Sequence, residues 1–307
     1  MVSYHRRKHF PLSLIHILIT LYPSFYSRFA CKAGDCVHSC CVQDWEIDID
    51  DDTAALYQSM DGPLGEEIRQ SMRKNEETYY WDMKDGKCPF LNKQGLCRIV
   101  LEKGEGALCD ICAMHPRFFV CAGNFELAGT GLCCEKTVEL LLEEKGPLVF
   151  VTDYPEEKAS LASLLHALGY KADKKNLIFS PSISTICYEQ LLSHYEKTEP
   201  INAAWTTSLL HMKTHVQKAA DRVHQLLEEI PSSHLTRIYQ YILYRGLEKA
   251  ETYGLPAVMA YARESVDFIL LATAFYGDFP EQVRLWSEQI EYDTENVDWL
   301  LSLLSGQ

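Results

Sequence analysis

Eleven of the chain's twelve cysteines fall between Cys31 and Glu135, and the only other one is Cys187. Apolar packing gives no reason to gather thiols into one stretch. A metal or cluster site does, because soft thiolates from separate segments must converge on one point. The spacing is C-x4-C-x3-C-C at Cys31, Cys36, Cys40 and Cys41, C-x8-C at Cys88 and Cys97, and C-x2-C at Cys109 and Cys112. Cys121 and the adjacent pair Cys133-Cys134 follow.

Disulfides are the competing use of cysteine. Disulfide-stapled secreted domains are usually short. This chain has 307 residues, and outside the cluster it has no cysteine pairs. Two pairs are adjacent in sequence, Cys40-Cys41 and Cys133-Cys134. The pattern favours a reducing, cytoplasmic setting and metal ligation. One C-x2-C knuckle suits structural zinc, which needs four ligands, and the thiols suffice for two sites or more. Iron–sulfur clusters draw ligands from loops of mixed spacing and from a remote cysteine. An iron–sulfur cluster is therefore placed first, with zinc as the alternative. Pro89 and Pro116 stiffen the loops around such a site.

Length and a hydrophobic content of 47% allow a sizeable core and about two domains. The net charge of −14 and pI near 5.2 argue against nucleic acid or an anionic membrane surface as partner. They suit a basic substrate such as a lysine side chain.

Residues 1–21 are set aside. Arg6, Arg7 and Lys8 precede an apolar run from Phe10 to Leu21, too short for a membrane span and without a small-x-small cleavage site directly after it. The hexapeptide Leu12 to Ile17, LSLIHI, looks like the translation of a transposon-based sequencing adaptor, so this segment is expected to be non-native or disordered. The fold expectation is mainly α, with an irregular Cys-rich metal-binding module at 22–145 and a helical module at 146–307. Short helices are expected at 54–60, 64–77 and 158–168, and a helix ending the segment 128–144. Extended pieces are expected at Trp45–Asp50, Thr78–Met83 and Leu148–Tyr154, with loops and short helices from Cys88 to Cys121. Helices are then expected at 186–197, 202–229, 233–253, 256–276, 280–291 and 295–304. Gly254-Leu255-Pro256 and Gly277-Asp278-Phe279-Pro280 serve as stop and start signals.

Four ordered blocks carry a resemblance. The first is CxxxCC with Trp45, an Ile-Asp pair and Thr53-x3-Tyr57. Next come CPFL…GLCRI from Cys88 to Ile99 and LCDIC…PR from Leu108 to Arg117, and last a cysteine followed by Glu135 and an apolar helix. Together they resemble the flagellin lysine-N-methylase family, by motif over about 22–145 and more loosely to about 290 through YRGLEKA. His115 stands where the family pattern has Tyr, and the chain ends early for the family. The resemblance implies an iron–sulfur cluster (4Fe-4S), S-adenosylmethionine as methyl donor, and flagellin lysines as substrate. It also implies a ligand set of Cys36, Cys40, Cys41, Cys88, Cys97, Cys109, Cys112 and one of Cys133 and Cys134, taken as Cys134. Cys31 matches the cysteine that opens the first block, and Cys121 has no counterpart. The wider relatives are small zinc- or iron-chelating proteins, so a non-enzymatic chelator is the alternative.

Other motifs are weak. Gly129 to Gly131 lacks a βαβ frame, and after Cys36 and Cys40 comes Cys41 at once, unlike the C-x3-C-x2-C of radical S-adenosylmethionine enzymes. Tyr79 to Trp81 and Trp45 could flank cationic groups, but core packing is the plainer reading. The same holds for Tyr239, Tyr241 and Tyr244. His211 and His215 share a helical face without a third ligand nearby in sequence.

Overall fold

The computed structural model describes residues 19–42, 45, 47–83, 85–153 and 157–306. The basic residues Arg6 to Lys8 and the hexapeptide Leu12 to Ile17 lie outside them. The last three residues of the segment set aside do not: Ile19, Thr20 and Leu21 open strand β1 (Ile19–Pro23).

The first cysteines follow on irregular backbone with two 3-10 turns, Ala33–Asp35 and Cys40–Val42. Next come β2 (Asp48–Ile49), α1 (Asp51–Ser59), α2 (Pro63–Ser71), β3 (Met72–Lys74) and β4 (Tyr79–Trp81). The Asp50 carboxylate accepts from the Thr53 N–H at 3.0 Å and so caps α1. Gly62, at φ 90°, turns the chain into α2, with Pro63 in its first turn. The helix expected over 64–77 ends at Ser71, where the chain crosses into β3 and pairs Met72 with Trp81. The small sheet runs β2-β4-β3, all antiparallel.

Two short helices, α3 (Arg98–Lys103) and α4 (Asp110–Met114), carry the next thiols. Then comes a hairpin that the sequence did not announce, β5 (Arg117–Ala122) and β6 (Phe125–Thr130). Its two-residue connection uses Gly123 at φ 54°, which lets Ala122 pair with Phe125. The helix expected to end the 128–144 segment begins only at Glu135, as α5 (Glu135–Glu143). After β7 (Val149–Val151) and β8 (Lys158–Ser160), the larger sheet is complete in the order β5-β6-β1-β7-β8. β1 lies at its centre, parallel to β6 and antiparallel to β7.

The remainder is helical: α6 (Leu161–Ala167), α7 (Thr185–Tyr195), α8 (Ala203–His215), α9 (Ala219–Glu229), α10 (Ser232–Gly246), α11 (Ala250–Tyr253), α12 (Leu255–Tyr276), α13 (Phe279–Trp286) and α14 (Thr294–Ser305). A π-helical turn, Ser287–Glu291, separates the last two. Helix dominates, as expected. The glycine signals act where they were read: Gly254 at φ 83° parts α11 from α12, and Gly277 at φ 72° ends α12 before Asp278 caps α13.

Apolar residues form two cores. The small one joins Ile49, Tyr57, Ile68, Trp81, Phe90 and Cys109. The large one spans β1, the hairpin, α5 and the C-terminal helices. Residues of the expected N-terminal module contribute to both. α10 ties the large core to its sheet with buried tyrosines. Tyr241 Oη donates to the Thr130 carbonyl at 2.7 Å and accepts from the Thr130 N–H at 2.9 Å. Tyr244 stacks on Phe150 at 4.2 Å and donates to the Leu21 carbonyl at 2.7 Å. These tyrosines therefore pack, as read. No helix among the described residues is long and apolar enough to cross a membrane.

Candidate functional site

All twelve cysteines are free, so the thiols are available as ligands. Of the eleven clustered cysteines, Cys112 lies inside α4 and Cys121 on β5, and the other nine sit on irregular backbone, in a 3-10 turn or at a helix start. Cys97, Cys109 and Cys134 are the N-cap residues of α3, α4 and α5. None makes a side-chain cap hydrogen bond. Burial raises the thiols of Cys97 and Cys134, opposed in part by the backbone N–H groups of Val100 and Ile99 and of Thr137 and Lys136, whereas Cys109 is lowered first by its hydrogen bond with the Cys112 side chain.

The thiols divide into two neighbourhoods. In the first, the Cys88 N–H donates to the Cys41 carbonyl at 3.0 Å. The loop from Cys88 closes on itself through a bridge between Leu91 and Cys97. Asp50 reaches across: its second carboxylate oxygen accepts from the Asp110 N–H at 2.9 Å, so one residue secures the starts of α1 and α4. Tyr57 Oη donates to the Ala107 carbonyl at 2.6 Å and fixes the turn before Cys109. Cys109 is buried in the small core, with Cys88, Cys97 and Cys112 against it. Burial pushes the Cys88 thiol up to about 12, with Cys41, Cys97 and Cys109 adding to the rise. The Cys112 thiol, hydrogen-bonded to Cys109, is likewise held protonated, while its partner is lowered.

In the second, Lys32 Nζ bridges Glu135 at 3.0 Å and Glu139 at 2.6 Å, and the Glu135 carboxylate also accepts from the His38 N–H. These contacts hold the Cys31–Cys36 loop against the start of α5, beside Cys134. Cys36 is pushed up to about 11 by burial, then by Glu135, Cys31 and Cys134. Cys40 lies between the two groups. Its thiol is raised by a hydrogen bond to Cys41, which is lowered to about 7 by the same bond. Gly34 makes the adjacency of the loops possible, since a Cβ there would stand 2.3 Å from the Gln94 carbonyl oxygen.

The expected ligands thus fall into Cys41, Cys88, Cys97, Cys109 and Cys112 towards the small core and Cys36 and Cys134 towards α5, where Cys31 joins them, with the Cys40 thiol between them in contact with Cys41. Cys133 faces elsewhere. It is buried, and burial raises its thiol to about 12, opposed by a hydrogen bond with Tyr292 and the charge of Arg245. Cys121 is exposed on β5 opposite Glu126. Among the described residues, no three His, Cys, Asp or Glu side chains already stand around one point as metal ligands. The donor chemistry of each neighbourhood nevertheless fits zinc or an iron–sulfur cluster: soft thiols from separate segments, free of disulfides.

Three aromatic side chains lie at the junction with the helical body. Trp45 packs against His115 at 5.7 Å and Tyr292 at 5.3 Å. The Tyr292 hydroxyl and His115 Nδ1 share a hydrogen bond at 2.8 Å, and burial lowers His115 to about 4, so it is neutral. Trp45 Nε1 donates to the Cys40 carbonyl at 2.9 Å. Of the aromatic patch Tyr79 to Trp81, Trp81 is buried between Tyr57 and Phe90 and is core. The Gly129–Gly131 stretch is a packing device, since a Cβ on Gly129 would lie 2.5 Å from the Phe118 ring and 2.6 Å from Tyr241 Oη. His211 bonds Tyr276 Oη, and His215 bonds the His211 carbonyl. A groove of about 430 Å³ on the helical body, lined by Tyr170, Lys171, Met259 and Arg263 among others, includes no cysteine.

Sequence reasoning missed Lys32, Asp50 and Tyr292. Glu135 was part of a motif block, but nothing local marked it as a tether.

Comparison with known proteins adds a distant relationship. The chain is 26% identical over 129 residues to a lysine-N-methylase of Salmonella typhimurium, covering 40% of this chain and 32% of that protein. It is 26% identical over 129 residues to the flagellar biosynthetic protein FliU of Salmonella muenchen, covering 76% of it. A second lysine-N-methylase, from Salmonella choleraesuis, matches to the same extent as the first. The matched part thus spans about a third of the length of the lysine-N-methylases. No family model matches, and no solved structure matches.

Proposed function

We propose that this protein is a protein-lysine methyltransferase that uses S-adenosylmethionine, carries metal on its clustered thiols, and acts on flagellin. The observation that carries the reading is the distant similarity to proteins named lysine-N-methylase and, separately, to one named as a flagellar biosynthetic protein. The thiol-rich stretch supports the cofactor part. Cys36, Cys40, Cys41, Cys88, Cys97, Cys109, Cys112 and Cys134 would hold an iron–sulfur cluster, or zinc. An iron–sulfur cluster bound there would supply one-electron chemistry.

The chain's own residues must do the rest. A lysine near its ordinary pKa of about 10.4 is a poor nucleophile, so the site must strip water from the ammonium or hold a base beside it. The Trp45, His115 and Tyr292 cluster offers aromatic faces next to the thiols and a neutral imidazole. The net charge of −14 favours approach of a basic substrate surface. A cytoplasmic site of action accords with free thiols and with this donor.

The second reading is a non-enzymatic zinc- or iron-chelating protein. What favours it is that similarity reaches only 32% of the lysine-N-methylases. Anaerobically purified protein incubated with labelled S-adenosylmethionine and flagellin separates the two. Label on flagellin lysines is expected. Metal-loaded, folded protein that transfers none would leave the chelator.

A further inference from the structure

The groove on the helical body lies outside the thiol stretch, and methyl transfer makes no use of it. It measures about 430 Å³ and runs between the start of α12 and the segment 170–176. That size falls in the range of small-molecule sites. A second hollow of about 460 Å³ adjoins it, sharing Tyr170, Lys171 and Ala172 and adding His166 and Asp173. Leu255, Pro256, Met259 and Ala260 give the α12 wall of the groove an apolar surface. The charged side chains lining it are Lys171 and Arg263, both cations. The chain as a whole has 43 Asp and Glu against 29 Lys and Arg, so a lining with cations and no carboxylate runs against its balance. The carboxylates beside these two cations in sequence have other partners. Asp173 pairs with Lys175 at 3.3 Å, Glu264 with His194 at 3.2 Å, and Asp267 accepts from the Ser182 N–H at 3.1 Å. Of the three, Asp267 feels the Arg263 charge, which opposes the rise of its carboxyl.

Both walls are built before any ligand arrives. Tyr239 Oη donates to the Asn176 carbonyl and Gln240 Nε2 to the Leu177 carbonyl, each at 2.8 Å. The Phe179 N–H donates to Thr236 Oγ1 at 3.3 Å. α10 therefore grips the loop wall from beneath, and Arg263 stands beside the same Tyr239 hydroxyl, whose rise it opposes. Such preorganisation lowers the ordering cost of binding. We propose that this groove binds a small organic anion, its apolar body against Tyr170, Leu255 and Met259 and its carboxylate or phosphate head held by Lys171 and Arg263. A guanidinium presents a planar fork of N–H donors that matches either head. S-adenosylmethionine, with a sulfonium and an ammonium against one carboxylate, does not suit this lining, and neither does a lysine side chain. The groove is thus a site apart from the proposed methyl transfer, and the proposal does not depend on that reading.

The test is isothermal titration calorimetry on the full chain at low salt, where the charge attraction is least screened. The probes are adenosine 5′-monophosphate and 4-phenylbutyrate, each set against its uncharged counterpart, adenosine or 4-phenylbutanol. Inorganic phosphate and S-adenosylmethionine complete the set. At least one of the two organic anions should bind with a Kd below about 1 mM. Its uncharged counterpart should bind at least about 10-fold more weakly. Which anion binds tells a phosphate head from a carboxylate head. Arg263→Gln should weaken that anion about 10-fold or more, with the thermal midpoint near wild type. Lys171→Gln, at an exposed position, should weaken it about 2- to 5-fold and leave the fold untouched. An uncharged counterpart that binds as well as the anion, inorganic phosphate as tight as the organic anion, or S-adenosylmethionine tighter than either anion would overturn the ligand class. No organic anion bound below about 1 mM, or binding unmoved by both substitutions, would overturn the site.

Discussion

Arg245 offers the sharpest test of how the helical body supports the thiol side. Its Nη1 lies 3.2 Å from Glu291 Oε2, and its Nη2 donates to the Glu291 carbonyl at 3.2 Å. The side chains are 21% and 4% exposed. At that separation the attraction is about 5 kcal/mol with an effective dielectric near 20. Desolvation of both charges offsets much of it, so the pair itself is worth little net. Removing one partner is different. In Arg245→Met, the Glu291 carboxylate keeps, among the described residues, the 2.6 Å bond from Ser287 Oγ. A buried, uncompensated charge of this kind costs about 3–5 kcal/mol. The guanidinium also lies 5.0 Å over the Phe118 ring, which Met can only partly replace. The double variant Arg245→Met with Glu291→Met removes both charges and should recover all but about 1–2 kcal/mol. Urea denaturation followed by circular dichroism measures all four corners of the cycle. An Arg245→Met cost under about 1 kcal/mol, or a double variant as unstable as the sum of the singles, would refute the buried-pair account.

Other expectations follow from single contacts. Gly129→Ala should cost about 3 kcal/mol or more, read as a lower thermal midpoint, because its Cβ meets both Phe118 and the Tyr241 hydroxyl that holds β6. Asp267, buried and accepting from the Ser182 N–H at 3.1 Å, has its carboxyl raised to about 7 by burial. The unfolded chain releases that proton near 4, so stability should fall as pH rises from about 4 to 7, by up to about 4 kcal/mol. Asp267→Asn should flatten this slope in urea titrations at several pH values. Asp50→Ala should cost about 2 kcal/mol at pH 7, since two helix starts lose their acceptor. The Asp110 and Thr53 N–H bonds outweigh burial and hold the Asp50 carboxyl below its ordinary 3.8, so the difference from wild type should vanish as pH falls through that lowered value.

The helical half was legible because its punctuation is local. Gly277, Asp278 and Pro280 end one helix and start the next without help from distant residues. Helix boundaries failed where backbone pairing decided them: Met72 continues an amphipathic helix by pattern, but Trp81 offers it a strand partner. The hairpin was hidden because RFFVCA carries a cysteine and stands between ligand blocks, and its turn at Gly123 shows only once Ala122 pairs with Phe125. β1 was hidden because its first residues end a run that reads as a leader. In the candidate site, the thiol blocks could be read from spacing alone. Which block meets which could not, because the ties are remote: Asp50 to Asp110 across 60 residues, Glu135 to His38 across 97.

Those remote ties bear on how an acidic chain can gather thiolates at all. With a net charge of −14, added thiolates meet repulsion. Burial raises the thiols of Cys97 and Cys134, and backbone N–H groups at these helix starts oppose the rise only in part, while Cys109 is lowered first by its hydrogen bond with Cys112. At the Cys31–Cys36 loop, Lys32 has its ammonium held charged by bonds to Glu139 and Glu135, and it lowers the Cys36 thiol less than Glu135 raises it. Glu135 is the hinge of this loop, since it grips both Lys32 and the His38 N–H. Glu135→Ala should therefore loosen the first loop alone. Losing a charge-assisted hydrogen bond of about 1.5–3 kcal/mol predicts amide exchange at His38 faster by about 10- to 100-fold. Exchange across 88–97 and α3 should stay as in wild type, because those segments are held by the Cys88 N–H bond to the Cys41 carbonyl, the Arg98 N–H bond to the Phe90 carbonyl and the small core instead. Hydrogen–deuterium exchange with mass spectrometry resolves the two regions. Equal loosening of both would mean that the thiol loops move as one unit, and that the tether to α5 does not set them apart.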